Sequence, residues 1–195
     1  MSTRQIEIER KTNESDIVIS LDLDGTGRAE VSTGIGFLDH LLTSLARHAR
    51  FDLTLSCRGD LEVDDHHTAE DCGLVLGKAL DRLLDQRRGI TRFGWALVAL
   101  DESLARVVVD LSGRPYACVD LGLARDRLGG LACENICHFL ISFAMASRTT
   151  LHVDILKGAN DHHRAESAYK ALALALRQAV ACDNSNQIPS TKGVL

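Results

Sequence analysis

Two short stretches hold the side chains with the most evident chemistry: Asp65-His66-His67-Thr68-Ala69-Glu70 and Asp161-His162-His163-Arg164-Ala165-Glu166. Both read Asp-His-His-x-Ala-Glu, and together they hold four of the chain's eight histidines. On a helix, His66 and Glu70 are four residues apart and His67 and Glu70 three apart, so either imidazole can share a face with the carboxylate. Imidazole plus carboxylate is a ligand set for a transition-metal ion. Adjacent histidines leave a helix about 100° apart, so one ion rarely takes both. Each cluster is therefore expected to serve two different ions. The plain alternative, two helix N-termini whose surface histidines coincide, leaves the doubled pattern unexplained.

Two further histidines repeat with the clusters. His40 lies 26 residues before His66, and His138 lies 24 before His162. Six histidines and two glutamates, His40, His66, His67, Glu70, His138, His162, His163 and Glu166, then suffice for two sets of three imidazoles and one carboxylate, and how the eight divide between two ions is open. Such sites suit Mn, Fe, Co, Ni or Zn and leave coordination positions open for a ligand. Because the paired histidines diverge, sites shared between halves or between subunits are expected, in a symmetric oligomer held partly by metal. His48, at a helix end where a cation suits the dipole, and His152, in a strand, read as structural.

Carboxylates on turns supply candidate acid/base groups: Glu14, and the pair Asp101-Glu102 at the equivalent turn. Arg92, Arg114 and the tail Ser190-Thr191-Lys192-Gly193 place guanidiniums, hydroxyls and an ammonium where an anionic small substrate could be held.

The elements needed to position these groups follow from hydrophobic periodicity. Alternation marks strands near 5–10, 17–23 and 51–55, with a third possible at 28–33. Helical spacing marks 37–49 and 66–86. The same order returns as strands at 92–100, 105–111, 115–122 and 149–157 and helices at 131–147 and 160–181. Glu14-Ser15 leads to Asp22-Leu23-Asp24-Gly25 as Glu102-Ser103 leads to Asp110-Leu111-Ser112-Gly113, at a constant offset of 88. The clusters repeat at an offset of 96. An internal duplication follows, each half βββαβα, residues 1–90 and 91–195, forming a two-layer α+β unit. Whether the halves meet helix layer to helix layer or edge to edge is open at this stage.

Composition bounds the rest. The 195 residues suffice for a sizeable core, and 45% apolar with 25% charged content is that of a soluble globular protein. A net charge of -5 argues against a nucleic-acid surface. The N-terminus lacks the apolar stretch of a signal peptide and no run is long enough for a membrane span, so a cytoplasmic location is expected. Six cysteines without a C-x-x-C pattern read as core residues or spare thiols.

The motifs in their order resemble those of the imidazoleglycerol-phosphate dehydratases of histidine biosynthesis. The likeness rests on Thr33-Gly34-Ile35-Gly36-Phe37-Leu38-Asp39-His40, Gly59-Asp60-Leu61, Asp64 through Asp71, Asp110 through Pro115, Thr150-Leu151-His152, Gly158 through His163, and Pro189-Ser190-Thr191-Lys192-Gly193. The resemblance implies a fold like the second domain of ribosomal protein S5, duplicated, and a monofunctional hydro-lyase. It implies dehydration of D-erythro-imidazole-glycerol phosphate to imidazole-acetol phosphate. It implies two Mn2+ held by the eight residues named above, and trimers building a large octahedral shell with metals at subunit contacts. It also implies that Glu14 is an acid/base group, and Asp101, on the equivalent turn of the second half, stands as a second candidate from the repeat. The phosphate would be held by Arg92, Arg114, Ser190 and Lys192, with Thr191 between the last two. Leu100-Asp101-Glu102 departs from the usual Met-Asp-Glu, and Cys137 stands where a polar residue is common. A metal-dependent hydrolase and a non-catalytic metal-binding shell are the rival readings. The first needs no imidazole pocket, and the second needs neither Glu14 nor the arginines.

Overall fold

The computed structural model describes residues 4–183 and 185–195. The first half comprises β1 (Gln5–Lys11), β2 (Ser15–Asp22), β3 (Ala29–Ser32), α1 (Gly36–Ala49), β4 (Asp52–Gly59) and α2 (His66–Leu84). The second comprises β5 (Phe93–Leu100), β6 (Ser103–Asp110), β7 (Tyr116–Asp120), a short hairpin β8 (Arg127–Leu128) and β9 (Leu131–Ala132), α3 (Cys133–Ala146), β10 (Thr150–Lys157) and α4 (Asp161–Ala179). The α+β class and the βββαβα repeat both stand. The hairpin is the one addition, too short to carry a periodic signal.

The sheets have the same topology. One runs β1-β2-β4-β3 and the other β5-β6-β10-β7, each with three antiparallel strands and a parallel edge strand. The parallel pair in each is joined through a helix, α1 or α3, as a parallel connection requires. Alternation does the sorting: Ile17, Ile19 and Leu21 of β2 and Ala105, Val107 and Val109 of β6 point inward and are buried.

The two halves meet helix layer to helix layer. Helix α1 packs on α4 and α2 packs on α3, with the first sheet outside α1 and α2 and the second outside α3 and α4. One face of α1 buries Leu38, Leu41, Leu42 and Leu45, while α4 buries a row of alanines, Ala165, Ala168, Ala171 and Ala175, that lets its neighbours come close. Gly73 serves the same end on α2: a Cβ there would lie 2.7 Å from the carbonyl oxygen of Phe139 on α3. The crosswise packing decides which ligands can meet, because each helix start in one half faces a helix start in the other. No helix among the described residues is long and apolar enough to cross a membrane.

Candidate functional site

Six of the eight expected metal ligands gather into two clusters, each drawn from both halves. His40 of α1 meets His162 and Glu166 of α4, and His138 of α3 meets His66 and Glu70 of α2. In each set the candidate ligand atoms lie within 4.8 Å of one another. The Oε2 atom of Glu166 is 3.3 Å from His40 Nε2 and 3.2 Å from His162 Nε2. In the other cluster Glu70 Oε1 is 3.2 Å from His138 Nε2, and the rings of His66 and His138 are 4.7 Å apart. Two imidazole nitrogens converging beside one carboxylate oxygen is a donor set that fits a divalent transition-metal ion.

The Asp that opens each motif is structural. Asp65 is buried and accepts hydrogen bonds from Ala132 N, Asn135 Nδ2 and Arg127 Nη2. It thereby ties the start of α2 to the β8–β9 hairpin and the start of α3. Burial pushes its carboxyl up, but these donors outweigh it and leave it below its ordinary value. Asp161 does the same for the chain before the hairpin, accepting from Ala124 N at 2.9 Å and Arg125 N at 2.7 Å. Asn135 also meets His66 Nδ1 at 3.0 Å and orients that ring.

The clusters are not electrostatic equals. Lys170 Nζ lies 2.8 Å from Glu166 Oε1. Burial raises the Glu166 carboxyl, and the Lys170 ammonium and the His40 imidazole overcome it, holding it at about 2. At the offset of 96, Leu74 stands where a partner of Lys170 would be. His48, near Lys170, is pushed down chiefly by burial and then by that ammonium. His48 lies in the last turn of α1, as expected. His152 is exposed and lies against Tyr116, with ring centroids 5.6 Å apart.

His67 and His163 stand apart from both clusters, so the expected grouping of three imidazoles per carboxylate is not met within one chain. Their rings are nearly perpendicular to those of His66 and His162, at 78° and 90°. His67 Nδ1 meets Asp60 Oδ2 at 2.9 Å, and its Nε2 is 3.7 Å from Glu14 Oε1. His163 Nδ1 meets Glu102 Oε2 at 2.7 Å, and its Nε2 is 3.8 Å from Asp101 Oδ2. The hydrogen bonds to Asp60 and Glu102 raise both imidazoles above their ordinary value. Glu102, in turn, is held at about 2 by His163 and by the backbone N–H groups of Asn160 and Ala159. Glu102 is therefore fully engaged, and Asp101, not Glu102, is the spatial counterpart of Glu14. Sequence reasoning missed Asp60 and Asn135, since neither lies in a helical register with the histidine it serves.

The expected anion-binding residues lie together, far from the cluster on α4. Arg92 donates to both oxygens of Asp110, at 2.7 and 3.0 Å, and to the carbonyl of Pro189 in the tail at 2.8 Å. Arg114 is exposed, and Gly113 beside it abuts the terminal Leu195. Ser190 turns the tail, accepting from Lys192 N at 3.2 Å, while Thr191 and Lys192 are exposed. Arg92 N donates to Ala179 O at the last turn of α4, whereas His162, His163 and Glu166 sit on its first turns. At 1.5 Å per residue, the helix separates the two groups by about 25 Å.

Residues 33–176 match the sequence model of the family described as imidazoleglycerol-phosphate dehydratase. The imidazoleglycerol-phosphate dehydratase of Phytophthora nicotianae is 57% identical over 192 residues, which are 98% of this chain and 42% of that longer protein. The chain thus spans less than half the length of that relative. The enzyme of the same name from Saccharomyces cerevisiae is 49% identical over 219 residues, covering 100% of both. The crystal structure of IGPD from Pyrococcus furiosus superposes with a TM-score of 0.83 at 37% identity, covering 96% of this chain and 100% of that one.

Proposed function

Since this chain belongs to the imidazoleglycerol-phosphate dehydratase family, we infer that it is a hydro-lyase of histidine biosynthesis that removes water from D-erythro-imidazole-glycerol phosphate. The observation that carries the site assignment is the convergence of His40, His162 and Glu166, and of His66, Glu70 and His138, across the seam between the halves. These six residues would hold two divalent ions, Mn2+ among the metals their donor types allow, and such an ion supplies a Lewis acid that makes a substrate imidazole N–H easier to lose.

Neither cluster is complete alone, and His67 and His163 turn their Nε2 atoms away from both. We assign them to the clusters of neighbouring copies in a homo-oligomer. The separation of about 25 Å between the cluster on α4 and Arg92 supports the same reading, since no small substrate bridges that span within one chain. A neighbouring copy would bring Arg92, Arg114, Ser190, Thr191 and Lys192 to the phosphate. Trimers assembled into an octahedral shell would satisfy both needs, and cytoplasmic residence fits a chain with six free cysteines.

Proton transfer falls to the exposed carboxylates. Dehydration breaks one C–O and one C–H bond on adjacent carbons, releases water, and leaves an enol that becomes the ketone. Glu14 and Asp101, each under 4 Å from an outward-facing Nε2, are placed to take the carbon-bound proton and to return it in ketonisation. Product analysis after metal stripping and Mn2+ reconstitution tests the whole. A ketone product formed only with metal is expected. Substrate cleavage would favour the hydrolase, and full turnover without any transition metal would overturn the assignment.

A further inference from the structure

The two imidazoles outside the clusters are held by carboxylates that the internal repeat does not relate. Asp60 follows β4, and the strand offset of 98 (Asp52–Gly59 onto Thr150–Lys157) puts Gly158 at its counterpart. Glu102 sits in the β5–β6 turn, and an offset of 88 puts Glu14 at its counterpart. Yet both carboxylates meet the Nδ1 atom of equivalent histidines, at 2.9 and 2.7 Å. Two unrelated positions arriving at the same atom indicate a requirement on that atom, since inheritance from the duplication cannot explain it. An imidazole whose Nδ1–H donates to a carboxylate keeps its lone pair on Nε2. In both cases Nε2 faces outward.

We propose that Asp60 and Glu102 are positioning residues that fix the tautomers of His67 and His163, keeping each Nε2 free to ligate metal, and that Glu102 does so without latitude. This rests on the shared-site reading above. The difference between the two lies in their other oxygens. Glu102 Oε1 accepts from Ala159 N at 3.1 Å and Asn160 N at 2.8 Å, so a side-chain oxygen must stay there. Replacing Glu102 by Gln leaves only the amide NH2 to face His163. Nδ1 must then accept, the ring proton moves to Nε2, and ligation is blocked. The same isosteric change in a buried His–carboxylate pair elsewhere gives the wrong tautomer with geometry intact. Asp60 Oδ1, by contrast, is buried with no hydrogen-bond partner among the described residues. Asp60→Asn can therefore keep its oxygen on His67.

The test compares Glu102→Gln, Asp60→Asn and His163→Ala. Nitrogen NMR of the metal-free protein, labelled in histidine, reads the tautomers directly. Mn2+ titration, following free ion by electron paramagnetic resonance, reads affinity. Glu102→Gln is expected to show His163 protonated on Nε2 and to weaken one class of Mn2+ sites by at least about tenfold. Asp60→Asn is expected to keep the native tautomer and bind within about threefold of the parent. A native tautomer and native affinity in Glu102→Gln would overturn the proposal. If His163→Ala weakens Mn2+ binding and Glu102→Gln does not, the proposal alone falls. If His163→Ala binds Mn2+ as the parent does, the shared-site reading falls and takes the ligation half of the proposal with it.

Discussion

Replacing Gly73 by Ala tests whether helix spacing sets the geometry of a cluster. Gly73 lies one turn beyond Glu70 on α2, and the carbonyl it faces belongs to Phe139, the residue after His138. The new Cβ would stand 2.7 Å from that oxygen and 3.3 Å from Ser142 Cβ, where ordinary contact begins at 3.4 Å. The helices must therefore part by roughly half an ångström or more, since the neighbouring atom is backbone. Metal–ligand distances tolerate about ±0.2 Å, so the cluster of His66, Glu70 and His138 should lose affinity on the order of tenfold. Stability carries two opposed effects: about 1 kcal/mol gained from helix propensity, against about 1–3 kcal/mol lost to overpacking. The expected net is a loss of about 0–2 kcal/mol, or a fall in Tm of a few degrees. Calorimetry of the metal-free protein and a two-class Mn2+ titration measure both. The cluster of His40, His162 and Glu166, on the other helix pair, should be unaffected and serves as internal control. A rise in Tm with both sites binding as in the parent would refute the argument that this close approach sets ligand spacing.

Two other outcomes follow from electrostatics. Asp52 Oδ1 accepts from the backbone N–H groups of Thr26, Gly27 and Arg28 at 2.7, 3.0 and 2.9 Å, which with the Arg28 side chain holds its carboxyl far below the usual range. A lowered folded value means stabilisation present above about pH 4 and lost as pH falls through the folded value. Asp52→Ala should cost about 1–3 kcal/mol at neutral pH and flatten the acid limb, read by denaturant melts across pH. For His67 and His163 the shift is upward, so in the metal-free chain their contribution is full below about pH 6.5 and declines as pH rises through the raised value. Metal uptake has the opposite sign, since ligation needs neutral rings. Mn2+ affinity should therefore begin to fall above about pH 6.5 on acidification, and a titration showing no loss until well below that would contradict it.

Much of this molecule is legible in its residue order. The offsets of 88 and 96 are enough to expect two copies of one unit, and alternation at Ile17, Ile19 and Leu21 finds a strand with its buried face. Six of the eight candidate ligand residues are written in the doubled motif. Their pairing is not. His40 meets His162 rather than His66 because α1 packs on α4 and α2 on α3, and that crosswise packing depends on small residues such as Ala165 and Gly73 at helix contacts. Periodicity marks a buried face without saying what covers it. The role of Asp60 was likewise hidden, since a residue after a strand and a histidine on the following helix meet only once the turn between them is built. Glu102 reads as an acid/base candidate from its place on a turn, but the backbone donors that occupy one of its oxygens arrive from Ala159 and Asn160, far along the chain.

The distance along α4 has a genetic consequence. If histidines at one end of that helix and Arg92 at the other serve different reaction centres, each polypeptide contributes half of two centres and the whole of none. A mutant disabled at His162 and another disabled at Arg92 would each be dead when pure. Assembled together, some centres would draw both of their contributions from undamaged ends, and a fraction of the catalytic power would return. Two defects in one polypeptide would recover nothing when mixed with either single mutant.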